Sequence, residues 1–413
     1  MNFRTSFVPA ACLCFLFTVA SLVQAADWPQ WRGPKRDAKS TETGLLKSWP
    51  EDGPPLAWKV DHVGGGFSSV SIADGKIFTL GDLEEQNYIM ALSEKDGELL
   101  WKTDIGAAGG HGGYPGPRST PTVDGGQVFA INQHGDIVCL NAATGELQWS
   151  KNLSNDFGGK MMSGWKYSES PLVDGDQVIC TPGGDQGTLV ALNRKTGSVI
   201  WQTKEWTDKA GYSSVIIATI HGVRQYIQLT GTSVAGIEPK TGQVLWNAAR
   251  PGKTAVITTP VIKDDVVFVT SAYGVGCNGF KITRDADAWS TEEVYANLEI
   301  ANHHGGVVLL GDHVFGSSGG TFRCLELKTG ELVYKDRSVG KGATVFADGC
   351  FYLRSEAGPV ALIAADAGEL KEISRFDQPD RSDSRAWAHP VIANGKLYLR
   401  DQGVLLCYDV KAK

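Results

Sequence analysis

Short apolar runs divided by tight polar turns recur every 37 to 52 residues or so, which marks the chain as a repeat before it marks it as domains. One signal is an apolar run, a turn and a second apolar run. It reads S-I-A-D-G-K-I-F at residues 71–78, T-V-D-G-G-Q-V-F at 122–129 and L-V-D-G-D-Q-V-I at 172–179. It returns at 261–268, 309–315, 345–352 and 391–398, and a longer-turned copy covers 217–227. Asp-Gly and Asn-Gly between apolar runs favour type I′ hairpins, because both turn residues need positive φ. Eight hairpins are predicted.

A second signal, A/C-L-x-x-x-T-G-x-x-x-W with small variations, ends at Trp101, Trp149, Trp201 and Trp246, and a degraded copy ends at Tyr334. Each is again strand, turn, strand, and the large closing ring suits a wedge between neighbouring sheets. Every unit thus supplies four short antiparallel strands, A to D, without an amphipathic helix of useful length. Four-stranded units repeated in a ring make an all-β protein, a β-propeller. The last copy stops after its third strand, while a lone strand at 56–60, L-A-W-K-V with Trp58, matches L-L-W-K-T at 99–103. Pairing the two closes the ring and leaves no exposed sheet edge. The expectation is an eight-bladed β-propeller. Blades five (258–297) and seven (343–376) lack the second signal, so seven blades remain an alternative.

Residues 1–25 carry Arg4, an uncharged apolar stretch and V-Q-A before Ala26, the three-part pattern of a cleaved secretory signal. The apolar stretch is short for a ~20-residue membrane helix, and Cys12 and Cys14 follow too little of it to be lipidated. An exported, periplasmic or extracellular monomer is expected. Residues 26–55, with Trp28, Trp31 and Trp49, read as an extended strap anchored over one face, ahead of a propeller spanning 56–413. The composition adds 50 glycines in 413 residues, above the usual ~7%, and a net charge of −7 without basic runs. Nucleic acid is therefore not an expected partner. Six cysteines follow the leader. Cys139, Cys324 and Cys407 share one repeat position with Ala91 and Ala191, so equivalent copies sit in different blades, too far apart to bridge. Small buried thiols are expected for all six, and no Cys/His spacing predicts a metal site.

The closing motif resembles the tryptophan-docking repeats of the pyrroloquinoline-quinone (PQQ) family, A-x-D-x-x-T-G-x-x-x-W, over nearly the whole chain after the leader. The W-P-Q-W-R-G-P run at 28–34 is similar to secreted PQQ-like proteins of bacteria. The resemblance implies a propeller held together by Trp58, Trp101, Trp149, Trp201, Trp246 and Tyr334. It leaves function open, since the superfamily spans quinoprotein alcohol dehydrogenases and the non-catalytic propeller subunit of the bacterial outer-membrane β-barrel assembly machine. The catalytic branch implies adjacent cysteines over the quinone, and calcium held by a Glu and an Asn beside an Asp base. After the leader there is no Cys-Cys pair. Glu169 alone falls in a plausible place.

The segments leading into the A strands surround one end of the channel and are rich in ligand-binding residue types. Blade two brings His111, Tyr114 and Arg118; blade three Trp165, Lys166, Tyr167 and Glu169; blade four Tyr212. Blade six brings His303 and His304, and blade eight Trp387 and His389. Aromatic faces with a few converging polar groups suit a ligand funnel. Glycines in these segments equally suit crowding near the axis. Arg118 and Glu169 equally suit pairing with each other or with neighbours. In an extended chain His303 and His304 point to opposite faces, so only one is expected to reach the funnel. The expected function is a non-catalytic binding scaffold of the cell envelope with a protein or glycan partner and no cofactor. The alternative is an alcohol or sugar dehydrogenase using PQQ with calcium.

Overall fold

The computed structural model describes residues 27–412, together with Met1. The leader expected over residues 1–25, with Cys12 and Cys14, lies outside the described residues. Eight four-stranded antiparallel sheets follow one another, and Leu153–Phe157 is the one α-helix among the described residues. Blade one runs Ser71–Ala73, Lys76–Leu83, Gln86–Ser93 and Leu99–Ala107. Its A strand is buried, whereas its D strand exposes Leu99 and Leu100, so A faces the axis and D the rim. Blade eight takes A to C from Val391–Ala393, Lys396–Asp401 and Val404–Asp409, and its fourth strand is Leu56–Val60, with Trp58 opposite Cys407. Blades five and seven are complete despite their lost motif, so the ring has eight blades. The six described cysteines are buried, with no disulfide among them.

Register explains the repeat. In each motif-bearing blade a small C-strand residue lies opposite the docking ring: Ala91 opposite Trp101, Cys139 opposite Trp149, Ala191 opposite Trp201, Cys324 opposite Tyr334. The indole then reaches into the C–D turn of the next blade. Nε1 of Trp58, Trp101, Trp149 and Trp201 donates to the carbonyls of Glu94, Ala142, Arg194 and Pro239 at 2.8–3.2 Å. Each acceptor stands three residues before the turn glycine, and the ring covers that glycine. At Gly242, with φ +75°, a Cβ would lie 2.4 Å from Trp201, so the Gly of T-G answers both the turn and the ring. Blade five has a docking residue the motif did not reveal, Tyr295. It lies opposite Gly279, and its hydroxyl donates to Leu327 O at 2.7 Å.

The two rings that face a blade without T-G make other arrangements. Trp246 donates to Gln225 Oε1 of its own blade, whereas the Tyr334 hydroxyl is buried without a partner. Removing an unsatisfied buried hydroxyl relieves its desolvation cost. Tyr334→Phe should therefore leave stability unchanged or raise it by about 1 kcal/mol. Urea unfolding of the two proteins tests this, and a clear loss would mean that the hydroxyl is partnered after all.

The second half of residues 26–55 runs along blades seven and eight. Ser40 and Leu45 bond to the A–B corner of blade seven, Leu46 to Val410, and the Trp49 N–H to Ser374 Oγ at 2.9 Å. Ser374 takes the docking position in blade seven, opposite Leu362, and there Trp49 packs against Tyr352 and Phe376. Residues 28–38 instead enter the channel as a series of turns. Trp28 pairs with Ile72, the Val123 N–H reaches Pro29 O, and Trp31 Nε1 donates to Thr259 Oγ1. Arg32 donates to Val307 O, Arg36 to Ser170 O and Pro171 O, and the Phe346 N–H to Ala38 O. Six blades are touched. Two buried arginines thus supply donors to carbonyls facing the axis, which the short A strands leave without partners.

Candidate functional site

The cavity opens on the face where the A strands begin and encloses about 190 Å³. That is close to the ~150 Å³ void that accommodates benzene and below the ~300–1,000 Å³ of a drug-sized site. The plug forms its floor: Trp31 faces the cavity and lies 4.4 Å, ring to ring, from His389. Aromatic rings form one wall. Trp387 stacks on His304 at 4.0 Å and packs against Tyr114 and Phe67 at 4.7 and 4.8 Å. Trp165 continues from Tyr114, and Tyr212 and Tyr273 lie across the cavity with Ala255 and Ile257.

Eight of the expected funnel residues line this cavity: Tyr114, Arg118, Trp165, Tyr212, His303, His304, Trp387 and His389. Four do not. His111 is exposed and meets the outer edge of Trp165 in a small hairpin, Gly110–His111 with Tyr114–Pro115. Lys166 adopts φ +70° and is absent from the lining. Tyr167 and Glu169 face away because Ser168 and Ser170 face in, the alternation of an extended chain. The Tyr167 hydroxyl donates to Pro182 O. Arg118 and Glu169 do not pair. Arg118 donates to Trp165 O and Tyr114 O at 3.1 and 2.6 Å. Glu169 accepts from the Thr181 N–H and hydroxyl at 2.7 and 2.9 Å, close to Arg36 of the plug.

The expectation that only one of the adjacent histidines reaches the funnel fails. Residues 301–306 bend rather than extend, and the His303 and His304 rings lie 3.5 Å apart. Glu356, at the B–C corner of blade seven, meets His304 Nδ1 at 3.2 Å and Lys341 Nζ at 3.0 Å. Burial lowers the pKa of both histidines, that of His303 to about 3, and that of His389 to about 3. Burial alone would raise Glu356, but hydrogen bonds from His304 and Lys341 bring it to about 2. Desolvation also raises the phenol of Tyr212 and lowers Arg118.

Sequence reasoning missed Trp31, Phe67, Tyr273, Lys341 and Glu356. Phe67 and Lys341 lie in segments leading into A strands, and Tyr273 and Glu356 in B–C corners. Both kinds of segment share this face, which was a usable signal. Trp31 had none.

This donor set does not fit a calcium-held quinone. Glu169 lies outside the cavity with both oxygens occupied. Asn302, beside the histidines, is buried and fully bonded: Oδ1 accepts from the Thr258 hydroxyl and the Gly306 N–H, while Nδ2 donates to Gly306 O and Ser317 O. Among the lining residues Arg118 is the one permanent cation for a tricarboxylate.

Docking repeats, a self-plugged axis and an aromatic cavity define a PQQ-repeat propeller. Residues 85–336 match the family described as outer membrane protein assembly factor BamB, and the chain belongs to that family. The BamB of Yersinia pestis is 23% identical over 306 residues, 69% of this chain and 71% of its own length. The crystal structure of BamB from Moraxella catarrhalis has a TM-score of 0.62 at 15% identity, covering 87% of this chain and 98% of that one. The quinohemoprotein alcohol dehydrogenase from Comamonas testosteroni reaches 0.64 at 11% identity, covering 94% and 81%. At such identities the structural likeness establishes the fold, for an assembly factor and a dehydrogenase alike. No helix among the described residues is long and apolar enough to cross a membrane.

Proposed function

We propose that the protein is a non-catalytic binding scaffold of the cell envelope that engages a protein partner on its cavity-bearing face. The observation carrying this reading is that the titratable groups in and beside the cavity are already engaged. Arg118 is held by two carbonyls, Glu356 by Lys341 and His304, and His389 by His304 O. No carboxylate is left poised as a base near an open substrate position. Aromatic walls with occupied polar groups suit the capture of a partner's apolar or aromatic side chain. Membership of a family described as an assembly factor and the secretory-signal pattern read in residues 1–25 support the envelope location.

The test is a calorimetric titration with PQQ, with and without Ca²⁺, followed by a dye-linked oxidation assay on alcohols and sugars. No saturable heat is expected. Calcium-dependent binding accompanied by substrate oxidation would overturn the scaffold reading and return attention to the dehydrogenase.

A further inference from the structure

His303 and His304 of the cavity wall, with Glu356 beside them, form a cluster to which the scaffold reading gives no chemistry of its own. One donor atom from each lies within 4.8 Å of the other two. Neighbouring residues converge here because the chain bends at Gly305, whose backbone packs so closely on blade seven that a Cβ would lie 1.8 Å from Gly342 O. No side chain fits there, and the bend brings both rings to one side.

A cation already occupies this corner. Lys341 Nζ lies 2.6 Å from His303 Nδ1 and 3.0 Å from Glu356 Oε1. An ammonium only donates, so His303 Nδ1 presents its lone pair inward and Nε2 carries the proton, which it gives to the Tyr273 hydroxyl at 2.8 Å. Tyr273 thereby holds His303 in the tautomer a metal needs, as partners of metal-bound imidazoles do. The ammonium uses one of the two imidazoles. His304 must keep its Nδ1 proton to bond Glu356, so this nitrogen offers no lone pair while the ammonium is in place.

We propose that this corner binds a divalent transition-metal ion, zinc by its donor set, held by His303, His304 and Glu356 in exchange for the Lys341 ammonium. Two imidazoles and a carboxylate are a recurrent zinc set, and a fourth position is left for water or a guest in the cavity. The exchange is open to Lys341, whose side chain is about one-third exposed (34%) and can turn to solvent. On binding, the His304 proton moves from Nδ1 to Nε2, so both imidazoles donate a lone pair and no net proton is released. The site is independent of the scaffold reading, since an ion here can brace the cavity wall with no reaction.

The protein, stripped of metal by chelator dialysis, would be titrated with Zn²⁺ by calorimetry and with Co²⁺ by visible absorption. One equivalent should bind, with the d–d absorption of an N/O site and a change in the fluorescence of Trp387, which stacks on His304. His304→Ala should weaken binding about 10–100-fold or more, and Lys341→Met, which keeps all three ligands, should strengthen it about tenfold. Absence of saturable binding in both the wild type and Lys341→Met would overturn the proposal. So would wild-type affinity in a folded His304→Ala protein, because the ion would then sit elsewhere.

Discussion

Arg400→Ala is expected to lower the stability of the ring by about 3–5 kcal/mol, the scale for stripping the partner from buried charge-assisted bonds. Arg400 sits in the B strand of blade eight and is fully buried at the seam with blade one. Its Nη1 donates to Thr79 Oγ1, Ser68 O and Leu80 O, its Nη2 to Gly64 O and Val63 O, and its Nε to Gln402 O. No carboxylate touches it, and burial lowers its pKa to about 9. Alanine would leave several carbonyls without donors at the joint where the ring closes. Lysine is a poor substitute, because one ammonium cannot reproduce the spread of a guanidinium. Urea unfolding followed by tryptophan fluorescence measures the effect. A loss under about 1 kcal/mol would mean that water serves these carbonyls as well as Arg400 does.

The second large effect depends on pH. Desolvation raises Glu169 to about 7, against an ordinary value of 4.5, despite two bonds from Thr181 and the nearby Arg36. Between these values the native state keeps a proton that the unfolded chain has released. Stability must therefore fall as pH rises through that window. A shift of this size is worth about 3 kcal/mol by pH 8. Glu169→Gln keeps the shape and an acceptor for the Thr181 N–H while removing the titration. The variant should match the wild type near pH 4.5 and exceed its stability by up to about 3 kcal/mol at pH 8. Urea midpoints at the two pH values decide it: an equal difference at both would show that Glu169 does not titrate in this range.

The blades were legible in the chain because their signals are local. An Asp-Gly turn and a ring ten residues after a small C-strand residue specify a hairpin and its register wherever they occur. Tyr295 escaped because blade five replaces the T-G turn with the long hairpin Gly276–Asp285 and Ala288–Asn297. Most of the cavity lining was visible too, since propeller topology assigns each segment to a face. The inward or outward choice within 165–170 was also readable, because Ser168 and Ser170 alternate with Tyr167 and Glu169. The plug was not. Trp28, Trp31, Arg32 and Arg36 carry no repeat, and a short run of tryptophans and arginines reads as readily on a surface as in a channel. Only contacts with distant residues, as between Ala38 and Phe346, 308 positions away, reveal where they go. The two histidines were misjudged for a related reason, since a bend imposed by packing on blade seven has no signature in the pair itself.

A channel filled by its own chain sets an order for folding. Leu56 meets its partner Tyr408 only after 352 further positions have become available, and such long-range closure is slow. Residues 28–38 must already be in place by then, because a shut ring would force two guanidinium groups and two indoles through a bore lined by backbone. The blades are therefore wound around this segment rather than fitted with it afterwards. It serves as a mandrel, and a chain lacking it would lose the former on which the ring is shaped.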